Sequence, residues 1–431
     1  MGRILRPMVP SAVLARTAPL FAFAVTILLP LGSSSSLAAR HVGGPGKWLV
    51  LAAFSVLAIA ASVERRRRPD TLALVWLAFC GFAIASALWS LTPRFSATHG
   101  ATLLLLVGAV FVGVREAARD STTRDRMLWA VYIAVVLVEL VSLAIAILDP
   151  SLGRQNDAAH RFNGLFENAN ELAIYGDLAI PLAVRFALES RGARRLLHST
   201  VAAGSAALII LSGTRAGLPI ALVATLLPLL AVGRRRSALL LGAGLVAALA
   251  LAVGAVAATG HSRLVLRDNT FWSFGGRTEA WSRSIEALGR KPVAGYGFAT
   301  EEPLLRPFKV GRYVGIGGFE GTTTEWYRKY AFQHFTGGFI ESSYLGAGAQ
   351  LGMIGLLFLA AQLTGALRGI GTLLRRGALH EDAAWIGLLT AGLLTAIFES
   401  VLWSVGSIVA VPTWIAAVCV IAAARESRSR A

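Results

Sequence analysis

Lysine is nearly missing from this chain: Lys47, Lys291, Lys309 and Lys329 are the only four among 41 basic residues. Arginine therefore carries almost all of the formal net charge of +17. A guanidinium is a planar fork of donors that suits phosphate, and codon usage accounts for the bias equally well. Cysteine is as scarce. Cys80 and Cys419 fall far apart, inside apolar runs, which excludes a disulfide framework and metal-ligand spacing. Charge of either sign is low, at 15% of the 431 residues, below what a soluble protein of this length carries. No Asp-rich, His-rich or Cys-rich spacing suggests a metal, and no P-loop suggests ATP, so neither metal nor cofactor is expected. No ten-residue alternation suggests an outer-membrane barrel.

Apolar residues are what the chain has: 55% of the total, with a mean hydropathy of +0.63. They cluster in runs of about 17–25, the length that crosses about 30 Å of hydrocarbon. The fold class expected is an all-α polytopic membrane protein. Hydropathy places about twelve transmembrane helices: 18–38, 47–63, 71–91, 98–114, 127–148, 169–188, 198–213, 217–232, 237–258, 342–365, 382–399 and 402–423. The first follows Arg3, Arg6 and Arg16 and precedes Ser36-Leu37-Ala38-Ala39, a faint cleavage pattern. Its length and the spans that follow favour a helix kept in the mature protein.

The arginines set an orientation. Arg65 to Arg68, Arg115, Arg119, Arg124, Arg126, Arg191, Arg194 and Arg195 fall in alternate connections. So do Arg234 to Arg236, Arg368, Arg375 and Arg376, and the tail adds Arg425, Arg428 and Arg430. By the positive-inside rule both termini are cytoplasmic, and this explains the charge before nucleic acid does. Residues 1–259 are expected as N-terminal membrane helices, 260–341 as an extracytoplasmic loop subdomain and 342–431 as C-terminal membrane helices, all in one integral membrane domain. The long loop carries Phe271, Trp272, Trp281, Tyr296, Trp326 and Tyr327, so it is expected to fold.

Four polar stretches on the weaker-charged, extracytoplasmic side need explaining. RFNGLFENANELAIYGD heads the sixth span with Arg161, Asn168, Asn170, Glu171 and, two turns further in, Asp177. Ionisable groups at that depth face a cavity or a partner; a helix-joining network is the alternative for Asp177, and an interfacial anchor for Arg161. LSGTRAG joins the seventh and eighth spans and sets Arg215 near the membrane surface, where a tight glycine turn can aim N–H groups at an anion or the arginine can snorkel. GGRTEAWSRSIEALGRKPVAGYG predicts a short amphipathic helix stopped by Gly289 and Pro292. Arg277 opens that helix with Trp281 on its face, although a cation there runs against the dipole. An ordinary surface arginine is the alternative. ESSYLGAGAQLGMIGL begins the tenth span with Glu341, either a base or a helix-start carboxylate. Within it Gly346, Gly348 and Gly352 would allow close helix packing. Arginines drawn from three distant segments suit a phosphate or diphosphate ligand.

In order and in placement, these four stretches resemble the O-antigen ligase and O-antigen polymerase superfamily of bacterial envelope glycan enzymes. The likeness runs from about Arg161 to Leu359. It implies a GT-C-like membrane glycosyltransferase that takes a glycan from undecaprenyl diphosphate on the extracytoplasmic face of the bacterial inner membrane. The acceptor would be the next lipid-linked repeat, another glycan, or the lipid A core, and a chain-length regulator is a candidate partner. The likeness implies diphosphate binding by Arg215 and Arg277, with Arg161 as helper. Asn168, Asn170, Asp177 and Trp281 would line the donor site. Ligases of the superfamily carry a histidine where this chain has Glu341, which shifts the expectation towards a polymerase. Glu341 would then accept the acceptor's proton, with His334 as a fallback base. A transporter or flippase of lipid-linked sugars is the competing reading; it predicts broken helices and symmetric halves.

Overall fold

The computed structural model describes residues 10–64, 70–149, 153–154, 161–231, 277–300, 313–314, 320–321, 341–376 and 379–429. The helices are α1 (Pro10–Gly32), α2 (Leu37–Glu64), α3 (Thr71–Leu88), α4 (Pro93–Ala117), α5 (Ser121–Leu148) and α6 (Ala169–Glu189). They continue with α7 (Gly192–Leu211), α8 (Gly217–Ala231), α9 (Arg277–Arg290), α10 (Ser343–Arg376), α11 (Leu379–Phe398) and α12 (Ala410–Ser429). A two-residue antiparallel pairing, Tyr313–Val314 with Glu320–Gly321, completes the described elements. Seven helices, α1 to α5, α10 and α12, are long and apolar enough to cross a membrane. Shorter apolar stretches fill α8 and α11. The chain is an α-helical multi-pass membrane protein.

The centre of the bundle is α6. Every residue from Leu172 to Val184 is buried, so α6 touches protein on all faces, packing on α5, α7, α8 and α11. Its polar load therefore sits inside protein and not against lipid, which is where ionisable groups in a membrane helix are tolerated. Asn168 starts it as an N-cap, its side chain accepting from the Asn170 N–H; such caps stabilise by about 1 kcal/mol. Beside this centre, α3, α4 and α12 meet in an aromatic cluster. Trp76 stacks on Phe111 at 4.6 Å and meets Trp414 edge-on at 4.8 Å, pairs worth about 0.5–1.5 kcal/mol beyond area burial.

Eleven of the expected spans coincide with helices, apart from their ends. The expected span 237–258 lies outside the described residues, as do Arg65 to Arg68, Arg234 to Arg236, Phe271, Trp272, Trp326, Tyr327 and His334. Two ends are corrected. The first helix stops at Gly32, not at 38, because Ser33 and Ser34 turn to bond the segment that leads into α6. Glu167 N–H donates to Ser33 O at 3.0 Å, and Ser34 Oγ donates to Leu165 O at 2.7 Å. The last helix starts at Ala410, not at 402. The residues between are held as a loop by Ser343, whose Oγ accepts from the N–H groups of Val401 and Leu402 at 2.8 and 3.1 Å.

Gly352 corrects a third expectation. It does not simply let helices pack closely: it breaks α10, with φ +63° and ψ −155°. A Cβ there would run into the backbone of Val293. The loop Pro292 to Gly297 fills the break. Met353 N–H donates to Pro292 O at 2.7 Å, Ile354 N–H to Val293 O at 3.2 Å, and Gly297 N–H to Gln350 O at 2.8 Å. The Gln350 side chain accepts from Ala299 N–H at 2.6 Å. The backbone groups freed by the break are thus satisfied within the protein, as a low-dielectric setting demands. This join fixes α9 against α10, and so fixes where Arg277 stands.

Candidate functional site

The polar stretches converge at one end of the bundle. Arg277, the first residue of α9, reaches the loop between α11 and α12. Its Nη2 bonds Glu399 Oε1 at 3.0 Å, and its Nε lies 2.7 Å from Glu341 Oε2 and donates to Phe398 O at 3.2 Å. Among the described residues its Nη1 has no hydrogen-bond partner, and 20% of the side chain remains accessible. Glu399 Oε1 also accepts from Asn170 Nδ2 at 3.1 Å. Asn170 Oδ1 in turn accepts from Arg161 Nη1 at 3.0 Å and from Thr214 Oγ1 at 3.3 Å. One chain of hydrogen bonds therefore runs Arg161, Asn170, Glu399, Arg277, with Thr214 attached, and an ion pair extends it from Arg277 to Glu341.

Each member is held by local structure. Thr214 belongs to the turn between α7 and α8. Ser212 Oγ donates to Thr214 Oγ1 at 2.9 Å, and Gly213 takes φ +65°, which glycine adopts without a Cβ clash. Glu399 is pinned by its carbonyl, which accepts from Ser343 Oγ at 2.9 Å and from Ser343 N–H at 3.2 Å. Glu341 has φ +52°, a left-handed conformation that costs a non-glycine residue of order 1–3 kcal/mol. Its carbonyl accepts from Trp281 Nε1 at 3.3 Å, and the Trp281 ring lies 6.3 Å from that of Phe398. Strain held by a tryptophan and an arginine is a feature that clusters at functional positions.

The electrostatics put two carboxylates on one guanidinium. Burial pushes the Glu399 carboxyl up to about 7, against the opposing pull of Arg277. Its side chain keeps 22% of its surface, so water moderates the rise. Glu341 is raised by burial as well, and Arg277 counters it. A proton can therefore be held or released here near neutral pH. The arrangement offers an anion one unsaturated guanidinium edge, a carboxylate on either side of it, and a second arginine, Arg161, two hydrogen bonds beyond Glu399.

Of the residues singled out in the sequence, Arg161, Asn170, Arg277, Glu341 and Trp281 are brought together. Asn168 caps α6 beside them. Arg215 follows Thr214 in the same turn, half-buried, with Nη2 shielded from solvent. Asp177 is not part of this chain of bonds. It is 1% exposed, and its Oδ1 lies 3.5 Å from where a Cβ on Gly217 would stand. Glu399 is the residue that the sequence reading missed. A single acid closing an apolar run at Phe398-Glu399-Ser400 was the available signal, since ionisable groups at such positions seldom lack a partner. Among the described residues no group of three or more His, Cys, Asp or Glu side chains could hold a metal ion.

No protein-family model matches the chain, and no curated protein matches it.

Proposed function

We propose that the chain is a membrane glycosyltransferase that moves a glycan from undecaprenyl diphosphate to an acceptor glycan, as a polymerase or ligase of O-antigen or exopolysaccharide. On this reading it is a GT-C-like protein of about twelve spans in the bacterial inner membrane. Both termini are cytoplasmic and the Arg277 end is extracytoplasmic. The observation that carries the reading is the convergence of Arg161, Arg277 and Glu341, from three distant segments, through Asn170 and Glu399. The donor's diphosphate binds the open edge of Arg277 and is flanked by Arg215 and Arg161. The acceptor hydroxyl attacks the anomeric carbon from the opposite face. The new glycosidic bond forms as the bond from that carbon to the diphosphate oxygen breaks, with inversion. The hydroxyl proton passes to Glu341, and the diphosphate leaves on its lipid. Arginines aimed at the leaving group stabilise the charge that grows there, an effect worth about 10²–10³ in rate per donor in comparable sites. Glu399 and Asn170 position Arg277. The substrate brings its own activation, so the step is written without metal or nucleotide.

The test is purified protein with a lipid-linked repeat unit, with and without lipid A core, resolved on a gel. A ladder that grows without core makes it a polymerase. A single shift that needs core makes it a ligase. No product with either acceptor, while the protein carries labelled lipid-linked sugar across a proteoliposome membrane, overturns the reading in favour of a transporter. The helix break at Gly352 is the feature that favours that alternative. Against it, the break is filled by the Pro292 to Gly297 backbone.

A further inference from the structure

The opposite end of the bundle carries a second arginine-lined feature, which plays no part in the transfer reaction. A cavity of about 340 Å³ lies between the C-terminal ends of α4 and α12. It is lined by Arg115, Arg119 and Arg425, by the apolar Ile421 and Ala422, and by Glu426 and Ser429. Its size falls at the lower end of small-ligand sites. The length of α12, about 30 Å for 20 residues, separates this cavity from the Glu399 loop.

The charges are not balanced within the cavity. Arg115 and Arg425 share a single carboxylate oxygen, Asp70 Oδ2, with Arg425 Nη2 at 2.9 Å from it. A guanidinium has five N–H donors, so one shared oxygen leaves most of both forks unused by that acid. Glu426, the acid among the lining residues, bonds outside the cavity: its Oε2 accepts from Arg124 Nη2 at 2.7 Å. Arg119 pairs with Glu116 at 3.2 Å, and 53% of the Arg119 side chain stays exposed. Arg425 is 56% exposed. Three guanidiniums thus line a space beside two apolar side chains, Ile421 and Ala422. A soluble anion has no use for the apolar pair. The glycerol and upper acyl carbons of a lipid do.

We propose that this cavity binds the phosphate of an anionic membrane phospholipid, with the glycerol backbone seated on Ile421 and Ala422. Basic pockets between transmembrane helices bind such headgroups. The site is independent of the proposed transferase reaction and stands or falls separately.

The test uses full-length protein in a non-ionic detergent. Dioleoylphosphatidylglycerol, dioleoylphosphatidylcholine and inorganic phosphate are each titrated, with bound adducts counted by native mass spectrometry. Wild type is expected to retain phosphatidylglycerol in preference to phosphatidylcholine and to ignore inorganic phosphate. The double variant Arg119→Gln/Arg425→Gln should bind phosphatidylglycerol roughly 25-fold more weakly, about fivefold per arginine. Because Arg425 also holds Asp70, a second variant leaves every ion pair in place: Ser429→Glu adds a negative charge to the lining and should weaken binding at least about fivefold by the same measure. Equal retention by wild type and Ser429→Glu overturns the proposal. So does equal retention of the two lipids. Saturation by inorganic phosphate at the lipid's own concentration would make it a site for soluble anions and overturn the headgroup assignment.

Discussion

Arg124 and Arg277 stand at opposite ends of the bundle, and each holds two carboxylates. Arg124, in the first turn of α5, bonds Glu426 at 2.7 Å, lies 3.4 Å from Asp382 and donates to Ala118 O at 2.9 Å. Its Nη1 and Nη2 donate hydrogen bonds, its Nε is shielded within ion-pair range of Asp382, and only 4% of the side chain is exposed. Arg277 bonds Glu341 and Glu399 with Nε and Nη2, keeps Nη1 unengaged among the described residues, and is 20% exposed. The first ties α5 to α11 and α12. The second joins three segments, α9, the head of α10 and the loop after α11, and keeps an accessible edge. An arginine between two acids is therefore not in itself a site. What separates the two is a reachable nitrogen and a partner backbone held in a strained conformation, as at Glu341.

The contrast breaks most sharply under alanine. Arg124→Ala removes the guanidinium that pairs with both Glu426 and Asp382, and breaking a buried pair costs about 3–5 kcal/mol. The variant should fail to accumulate in membranes, or melt far below wild type in detergent. Arg277→Ala should accumulate normally and unfold near the wild-type temperature, yet lose at least about 100-fold in glycan transfer. If both variants lost stability alike, the distinction between a tied end and a poised end would be wrong.

Glu399→Gln comes next. It keeps the side-chain shape but removes the charge that holds Arg277, so kcat should fall by about tenfold, as for loss of one charge-assisted hydrogen bond of about 1.5 kcal/mol, with KM for the donor little changed. Arg277→Lys should not rescue function, because an ammonium cannot span Glu341 and Glu399 in the plane of one fork.

The pH profile sharpens the comparison further. With Glu399 raised to about 7, transfer should climb with an acid limb centred near there. Asn170 donates to the charged form of Glu399 and holds its pKa down. Asn170→Ala should therefore move the limb to higher pH, and a limb that stays in place or moves down would remove Glu399 from the account. The stability sign follows from the same shift. A carboxyl with a folded pKa above its ordinary 4.5 is favoured protonated, so its contribution is full below about 4.5 and is lost as pH rises through about 7. Thermal melts of Glu399→Gln should show less of that decline than wild type. Trp281→Phe has the smallest effect. It removes the indole N–H donated to Glu341 O, and donor KM should change by about two- to tenfold.

Hydropathy made the helices legible, because a span needs a length and a composition and little else. It could not give their ends, since Ser33, Ser34 and Ser343 end or delay helices through contacts with segments far along the chain. Arg161, Asn170, Arg277, Glu341 and Trp281 could be found because polar residues at the head of an apolar run need a reason to be there. Glu399 could not be ranked the same way, because it sits alone between Phe398 and Ser400 and its partners come from α6 and α9. Gly352 looked like a small packing residue because an apolar run does not disclose a positive φ. Only the loop from Pro292 to Gly297, laid against α10, gives it that conformation.

The measurement that tests the central claim most directly is glycan transfer by purified wild type and Arg277→Ala, side by side, from an undecaprenyl-diphosphate-linked repeat unit. The account predicts extended product with wild type and at least about a 100-fold slower rate with the variant, at an unchanged melting temperature. A stable Arg277→Ala protein that transfers at the wild-type rate would contradict it.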